Sequence, residues 1–310
     1  DTGRFADVGV TIGYLTQRTV SLRQDYARLQ TFKDTNIVAA SRLELTQTTL
    51  EGKGAAAEKN QNTHMAARSA ESSASVAVTD AKNKLTSFTA ALNTTVNGTH
   101  IFAGVNTDVK PVNAYFTTPA SAAQTATSTA LSNFMTANSI ASIGDMTGAQ
   151  MEAFLSGPFA DLFDDPNWGN WSSASDQNIT SRISSNERVE TSTNANAAPF
   201  RALAQAYTMI ADLDIESLNS EAYLAVVNKA IEVVGQASAD LTQLRAGLGT
   251  SQERIAAANE RIDIQRSLLN EHIMQLEGVD VYEATVKVNS LLVQIETAYA
   301  LTARLQNLSL

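Results

Sequence analysis

All five prolines (Pro111, Pro119, Pro158, Pro166 and Pro199) lie between positions 111 and 199 of a 310-residue chain. A proline inside a helix removes a backbone donor and clashes with the preceding turn, at about 3 kcal/mol. The flanks, 1–105 and 200–310, contain none. Long helices are therefore open to both ends and denied to the middle. The expected fold is mainly α. An elongated, discontinuous, coiled-coil-like helical rod is built from 1–105 and 200–310, with a small α+β module, 106–199, inserted between its halves.

The spacing of apolar residues supports that division. Leu15, Leu22, Leu29, Asn36, Leu43 and Leu50 recur every seven residues in the first arm. Leu241, Leu248, Ile255, Ile262, Leu269 and Leu276 do so in the last. Repeats of seven mark helices packed along a seam. Asn36 is the one polar member: a register-setting buried amide or a cap at a helix break, or else a partner contact at a bend. Gly52 and Gly54 each cost about 1 kcal/mol in a helix, so a break is predicted there. A further helix is predicted over 55–97, carrying Val78, Leu85 and Leu92 and closed by the Asn97-Gly98 turn signal.

In the middle, Ser, Thr, Asn, Gly and Pro dominate, and short helices are predicted over 122–136 and 148–155. Gln177–Thr193 alternates in short apolar–polar steps around Ser-Asn, which predicts a β-hairpin.

Composition narrows the chemistry. The chain has no cysteine, three histidines, and 22 basic against 32 acidic residues, for a formal charge of −10. Thiolate metal sites, disulfides and cysteine nucleophiles are excluded, and a histidine-built metal centre is disfavoured. The acidic balance argues against nucleic acid, and no apolar run is long enough for membrane insertion. Asp161, Asp164, Asp165 and Asp176 form the one local acidic cluster, but they lack EF-hand spacing and read better as a turn string than as a calcium site. Trp168 and Trp171 fit an aromatic core better than a glycan-stacking surface. Gly247 and Gly249 lack the GxxxxGK[ST] pattern of a phosphate loop. His64, His100 and His272 have no triad or HExxH partners in sequence. Asn-x-Ser/Thr triplets at Asn93, Asn97, Asn170, Asn178 and Asn307 are what an Asn/Ser/Thr-rich chain makes by chance. The expectation is a structural protein with no catalytic residues, cofactor or metal.

Several segments resemble the bacterial flagellin family. They are "RAGLGTSQERI" (Arg245 to Ile255), "LEGVDVYEA" (Leu276 to Ala284) and the closing "LTARLQNLSL" (Leu301 to Leu310). In the first arm, "TGRFADVG", "DTNIVAASRLELTQ" (Asp34 to Gln47) and "NGTHIFAG" (Asn97 to Gly104) are similar to the family's N-terminal helical arm. "NERVETSTNANAAPF" resembles the end of its inserted module. The "NGTHIFAG" and "LQNLSL" segments are more similar to members at the junction of hook and filament than to those that form the filament. The first residue is Asp, with no signal segment after it, and family members begin earlier. The resemblance therefore implies that an N-terminal helix is missing from this sequence.

The resemblance implies an adaptor assembled by helix packing as a ring of its own copies between hook and filament; filament flagellin is the alternative, and a surface glycan-binding adhesin a weaker one. Implied partners are flagellin, other hook-associated proteins and a cytoplasmic export chaperone. The implied location is extracellular, in the flagellum, reached through the flagellar type III system without a cleaved signal peptide. For subunit contacts the expected residues are Val286, Leu292, Ile295, Tyr299, Leu301 and Leu305, apolar residues of the last helix beyond the seam. The competing reading is that they close the intramolecular bundle.

Overall fold

The computed structural model describes the backbone of residues 2–67, 74–278 and 281–308, and the side chains of 13–57, 59, 74–278, 282 and 284–304. Seven α-helices occur among these residues: α1 (Thr2–Ala67), α2 (Ala74–Leu92), α3 (Ala122–Ala137), α4 (Gly148–Ser156), α5 (Ala198–Asp212), α6 (Ser220–Glu277) and α7 (Val281–Leu308). Two antiparallel strand pairs accompany them, β1 (Thr95–Val96) with β2 (Thr99–His100) and β3 (Thr180–Arg182) with β4 (Arg188–Glu190). The fold is mainly α with small β elements. No proline interrupts a helix: four lie in connections, and Pro199 occupies the first turn of α5, where its missing N–H has no helical acceptor anyway.

α1 passes straight through Gly52 and Gly54, where a break was expected. Leu50 and Ala57 on either side are fully buried, and Lys53 Nζ donates to the Ser87 carbonyl and Oγ of α2, both at 3.1 Å. These contacts outweigh about 1 kcal/mol per glycine. The first helix accordingly ends at Ala67, and α2 runs from Ala74 to Leu92 rather than from 55 to 97.

Contacts group the chain into two units, residues 32–259 and residues 1–31 with 260–310. In the first of these, α2 packs on α5. Phe88 meets Tyr207 edge-on at 6.1 Å, and Phe102 meets Phe200 likewise at 5.7 Å. An aromatic series then runs through Phe154, Phe159, Phe163 and Trp171 at centroid spacings of 5.3–5.7 Å. The "NGTHIFAG" segment folds into three consecutive devices. Asn97 and Gly98, at φ 50° and 80°, form the two-residue turn of β1–β2. Ile101 and Phe102 enter the core. Gly104, at φ 63°, lies against the backbone of Ser175 and Gln177. The predicted short helices are α3, capped by Ser121 Oγ, and α4, which opens on a Thr147–Gln150 capping box. The predicted hairpin is β3–β4, in register Thr180↔Glu190 to Arg182↔Arg188.

The seam residues of this unit (Leu43, Leu50, Leu241, Leu248 and Ile255) are at most 4% exposed. Asn36 is fully buried inside an unbroken helix and acts as an intramolecular anchor. Its Nδ2 donates to the Ile183 carbonyl next to β3 (3.0 Å) and to Asn259 Oδ1 of α6 (2.8 Å). Asn36→Ala leaves that buried carbonyl without its donor. The expected loss is about 1–3 kcal/mol of unfolding free energy, read from the denaturant midpoint at unchanged m.

In the other unit the seam is looser. Ile262 is buried, but Leu22, Leu29, Leu269 and Leu276 are half-buried and Leu15 is exposed. Polar contacts supplement them. Arg266 donates to Tyr26 Oη at 2.9 Å with its guanidinium 4.8 Å from the ring centre, and Arg23 pairs with Glu277 at 2.7 Å.

At the end of α5, Tyr115 Oη donates to Asp212 Oδ2 at 2.7 Å and Gln124 Nε2 to Oδ1 at 3.4 Å. Burial pushes the Asp212 carboxyl above its ordinary 3.8, only partly offset by these donors and by Lys82. A folded-state value above the unfolded one favours the protonated native state. The ionised carboxylate therefore destabilises the fold at neutral pH, and the penalty is relieved as pH falls through the raised value. Asp212→Asn keeps an acceptor for Tyr115 without the charge. Its Tm should equal or exceed the parent's at neutral pH, and that advantage should shrink towards about pH 4.

Candidate assembly interface

Among the described residues, side chains suited to chemistry do not converge. No three of their His, Asp or Glu groups are placed to hold a metal ion. Asp165 pairs with Arg201 at 3.0 Å, and Asp176 Oδ1 accepts from Asn196 Nδ2 at 2.7 Å. The acidic cluster is divided between local structural bonds. Trp168 and Trp171 are 1% and 2% exposed and stacked at 5.7 Å. Trp168 Nε1 donates to Asn196 Oδ1, and Arg201 covers its ring at 5.5 Å. This burial overturns the glycan-stacking reading, since neither indole face is open to a sugar. Gly247 and Gly249 lie within α6, not in a loop. His100 Nδ1 lies 3.1 Å from the Asn93 carbonyl, His272 is exposed on α6, and the His64 side chain lies outside the described residues.

The feature that does stand out is α7. Every residue from 285 to 304 is exposed. Val286 is 52% exposed, Leu292 52%, Ile295 49%, Tyr299 74% and Leu301 56%. The Leu305 side chain lies outside the described residues, although its backbone is helical. At about 100° per residue, Leu292, Ile295 and Tyr299 share one face. Val288 and Leu291, also more than half exposed and not among the expected contacts, complete that stripe. The signal was present in the sequence as 288, 291, 292, 295 and 299, the 3.6-residue period itself. Val286 and Leu301 project from another side of the helix, beside Val293. Two apolar tracts on one helix fit burial against more than one neighbour. Polar side chains such as Lys287, Gln294 and Glu296 lie between them.

Residues 231–310 match the bacterial flagellin C-terminal helical region, and residues 1–107 match the bacterial flagellin N-terminal helical region. No match was found among curated proteins. Two solved structures share the fold. One, from Vibrio parahaemolyticus and described as a flagellar hook-associated protein, has a TM-score of 0.58 at 10% identity, covering 83% of this chain and 95% of its own. The other, flagellar hook-associated protein-3 of Legionella pneumophila, has a TM-score of 0.57 at 8% identity, covering 84% and 99%.

Proposed function

Because the chain belongs to the bacterial flagellin family, we propose that it is the adaptor that joins hook to filament, assembled by helix packing as a ring of its own copies. The chain is a structural component of the flagellum, an extracellular appendage. None of its described helices is long and apolar enough to cross a membrane. The observation that carries the proposal is α7: about twenty consecutive helical residues with apolar side chains on two sides and none of them buried within the chain.

Three features support the finer reading. Two solved structures that share the fold are described as hook-associated proteins. The "NGTHIFAG" segment forms a turn-and-core device rather than a loop. Along the chain, 106–199 follows one long helical arm and precedes the other, the order expected of a module inserted into a discontinuous domain. The subunit contacts are assigned to Leu292, Ile295 and Tyr299, with Val286, Leu301 and Leu305 on the remaining faces. The partners are flagellin, other hook-associated proteins and an export chaperone. Export is through the flagellar type III channel, for which a cysteine-free chain suits passage in the unfolded state.

Electron microscopy of cells lacking the gene tests the proposal. The expected result is hooks without filaments, together with flagellin monomer in the medium. Bare hooks without excreted monomer would identify a filament flagellin instead. Normal filaments would overturn both readings.

A further inference from the structure

A groove of about 350 Å³ opens between α3 and the end of α5, within the size range of small-ligand pockets. The face of α3 that carries Thr127, Ser128, Leu131, Met135 and Thr136 lines it, and Ile140 and Asp212 complete the lining. Its hydroxyls are already committed as donors. Thr127 Oγ1 donates to the Ala123 carbonyl at 3.1 Å, Ser128 Oγ to that of Thr125 at 3.0 Å, and Thr136 Oγ1 to that of Ser132 at 2.8 Å. Each has given its proton to the backbone of α3 and offers lone pairs to anything else.

The ionised Asp212 carboxylate likewise only accepts. Tyr115 and Gln124 take one position on each of its oxygens, at 2.7 and 3.4 Å, which leaves about half of its acceptor capacity. The carboxylate is also held in place. Tyr115 stacks on Trp171 at 4.8 Å and meets Phe116 edge-on at 4.9 Å.

Among the described residues, little positive charge balances this lining. α3 ends at Ala137 and α5 at Asp212, and neither carries a basic residue in its last turn, where the helix dipole favours a cation. α3 has no charged residue at all. Lys82 of α2 acts on the carboxylate, but its ammonium lies over the Phe116 ring, 5.6 Å from the centre. Tyr115 is the other titratable group that bears on Asp212, and burial outweighs both together with Gln124.

We propose that the groove binds a primary alkylammonium, its nitrogen on Asp212 beside Thr127 and Ser128, and its aliphatic stem along Leu131, Met135 and Ile140. An ammonium brings three donors and no acceptor, the complement of a lining whose oxygens accept. The bound cation supplies the charge that the two helix ends lack. The amine is either free or the side chain of a protein lysine. The site is separate from α7 and does not depend on the assembly reading.

The test follows the Asp212 carboxyl by NMR in the full chain labelled with ¹³C at aspartate Cγ, the signal being assigned by its loss in Asp212→Asn. Saturating n-pentylamine should lower the Asp212 titration midpoint by about one pH unit, the shift produced by a tenfold preference for the ionised form. The uncharged n-pentanol should leave the midpoint where it is. Asp212→Asn should fold with at least the parent's Tm and bind n-pentylamine at least tenfold more weakly, read from the methyl signals of Leu131 and Met135. Nα-acetyl-lysine-N-methylamide is the second arm. A fall in the midpoint with this derivative identifies a protein lysine as the occupant, and a fall with n-pentylamine alone identifies a free amine. An unchanged midpoint with both amines, an equal fall with n-pentanol, or parental affinity in Asp212→Asn would overturn the site.

Discussion

Gly104→Ala lowers the unfolding free energy by about 3–5 kcal/mol, or about 10 °C in Tm. Two costs combine. Holding alanine at φ 63° costs about 1–2 kcal/mol. The added Cβ would also sit 2.4 Å from the Ser175 carbonyl oxygen and 2.6 Å from that of Gln177. Neither oxygen can retreat freely. Ser175 N donates to the Ala103 carbonyl at 3.0 Å, and Val105 N donates to the Gln177 carbonyl at 2.9 Å, so both sides of Gly104 are tied to the segment it touches. Relief requires breaking at least one of these bonds. Gly98→Ala is the internal control: φ is 80°, yet nothing lies within 4 Å of the added Cβ. It should lose only the backbone share, about 1–2 kcal/mol. Equal losses from the two variants in thermal or denaturant unfolding would show that the close approach at Gly104 contributes nothing.

The second large effect is on assembly and leaves the fold intact. Leu292→Asp, Ile295→Asp and Tyr299→Asp together should leave Tm close to the parent's, because all three side chains are about half exposed or more. Incorporation into flagella should fall at least about a hundredfold, since burying each apolar group contributes about 1.5–3 kcal/mol. A core residue behaves in the opposite way. Phe88→Ala, fully buried against Phe200 and Tyr207, should cost about 3–5 kcal/mol of stability. Replacing Val286, Val293 and Leu301 instead tests the other tract of α7. Loss of incorporation from either set alone would show that the helix contacts neighbours on both sides.

Much of this was legible from residue spacing. The proline distribution placed the long helices correctly because the steric cost of proline acts locally and no tertiary contact removes it. The heptad residues of 32–259 are buried as their period predicts. The two glycines of α1 were misread because propensity weighs about 1 kcal/mol, whereas Leu50, Ala57 and Lys53 contribute through partners far along the chain. Asn36 could be recognised as the polar member of the leucine series, but its partners could not: Ile183 lies 147 positions away and Asn259 223. The tryptophans favoured a core from their residue type, and their burial settled it. In α7 the six expected contact residues, spaced by six, three, four, two and four, do not keep to one helix face. The set gathered side chains from different faces and passed over Val288 and Leu291, which complete the main stripe.

On the proposed function, α7 is surplus to the fold of the chain and serves assembly. Deleting residues 285–310 tests it most directly, with the secreted chain separated into sheared flagella and spent medium. The shortened chain should be recovered from the medium and be missing from the flagella. Its remaining helices should give the parent's circular-dichroism signal per residue and the parent's Tm. Recovery of the shortened chain in the flagella, or loss of helical signal throughout the remainder, would contradict it.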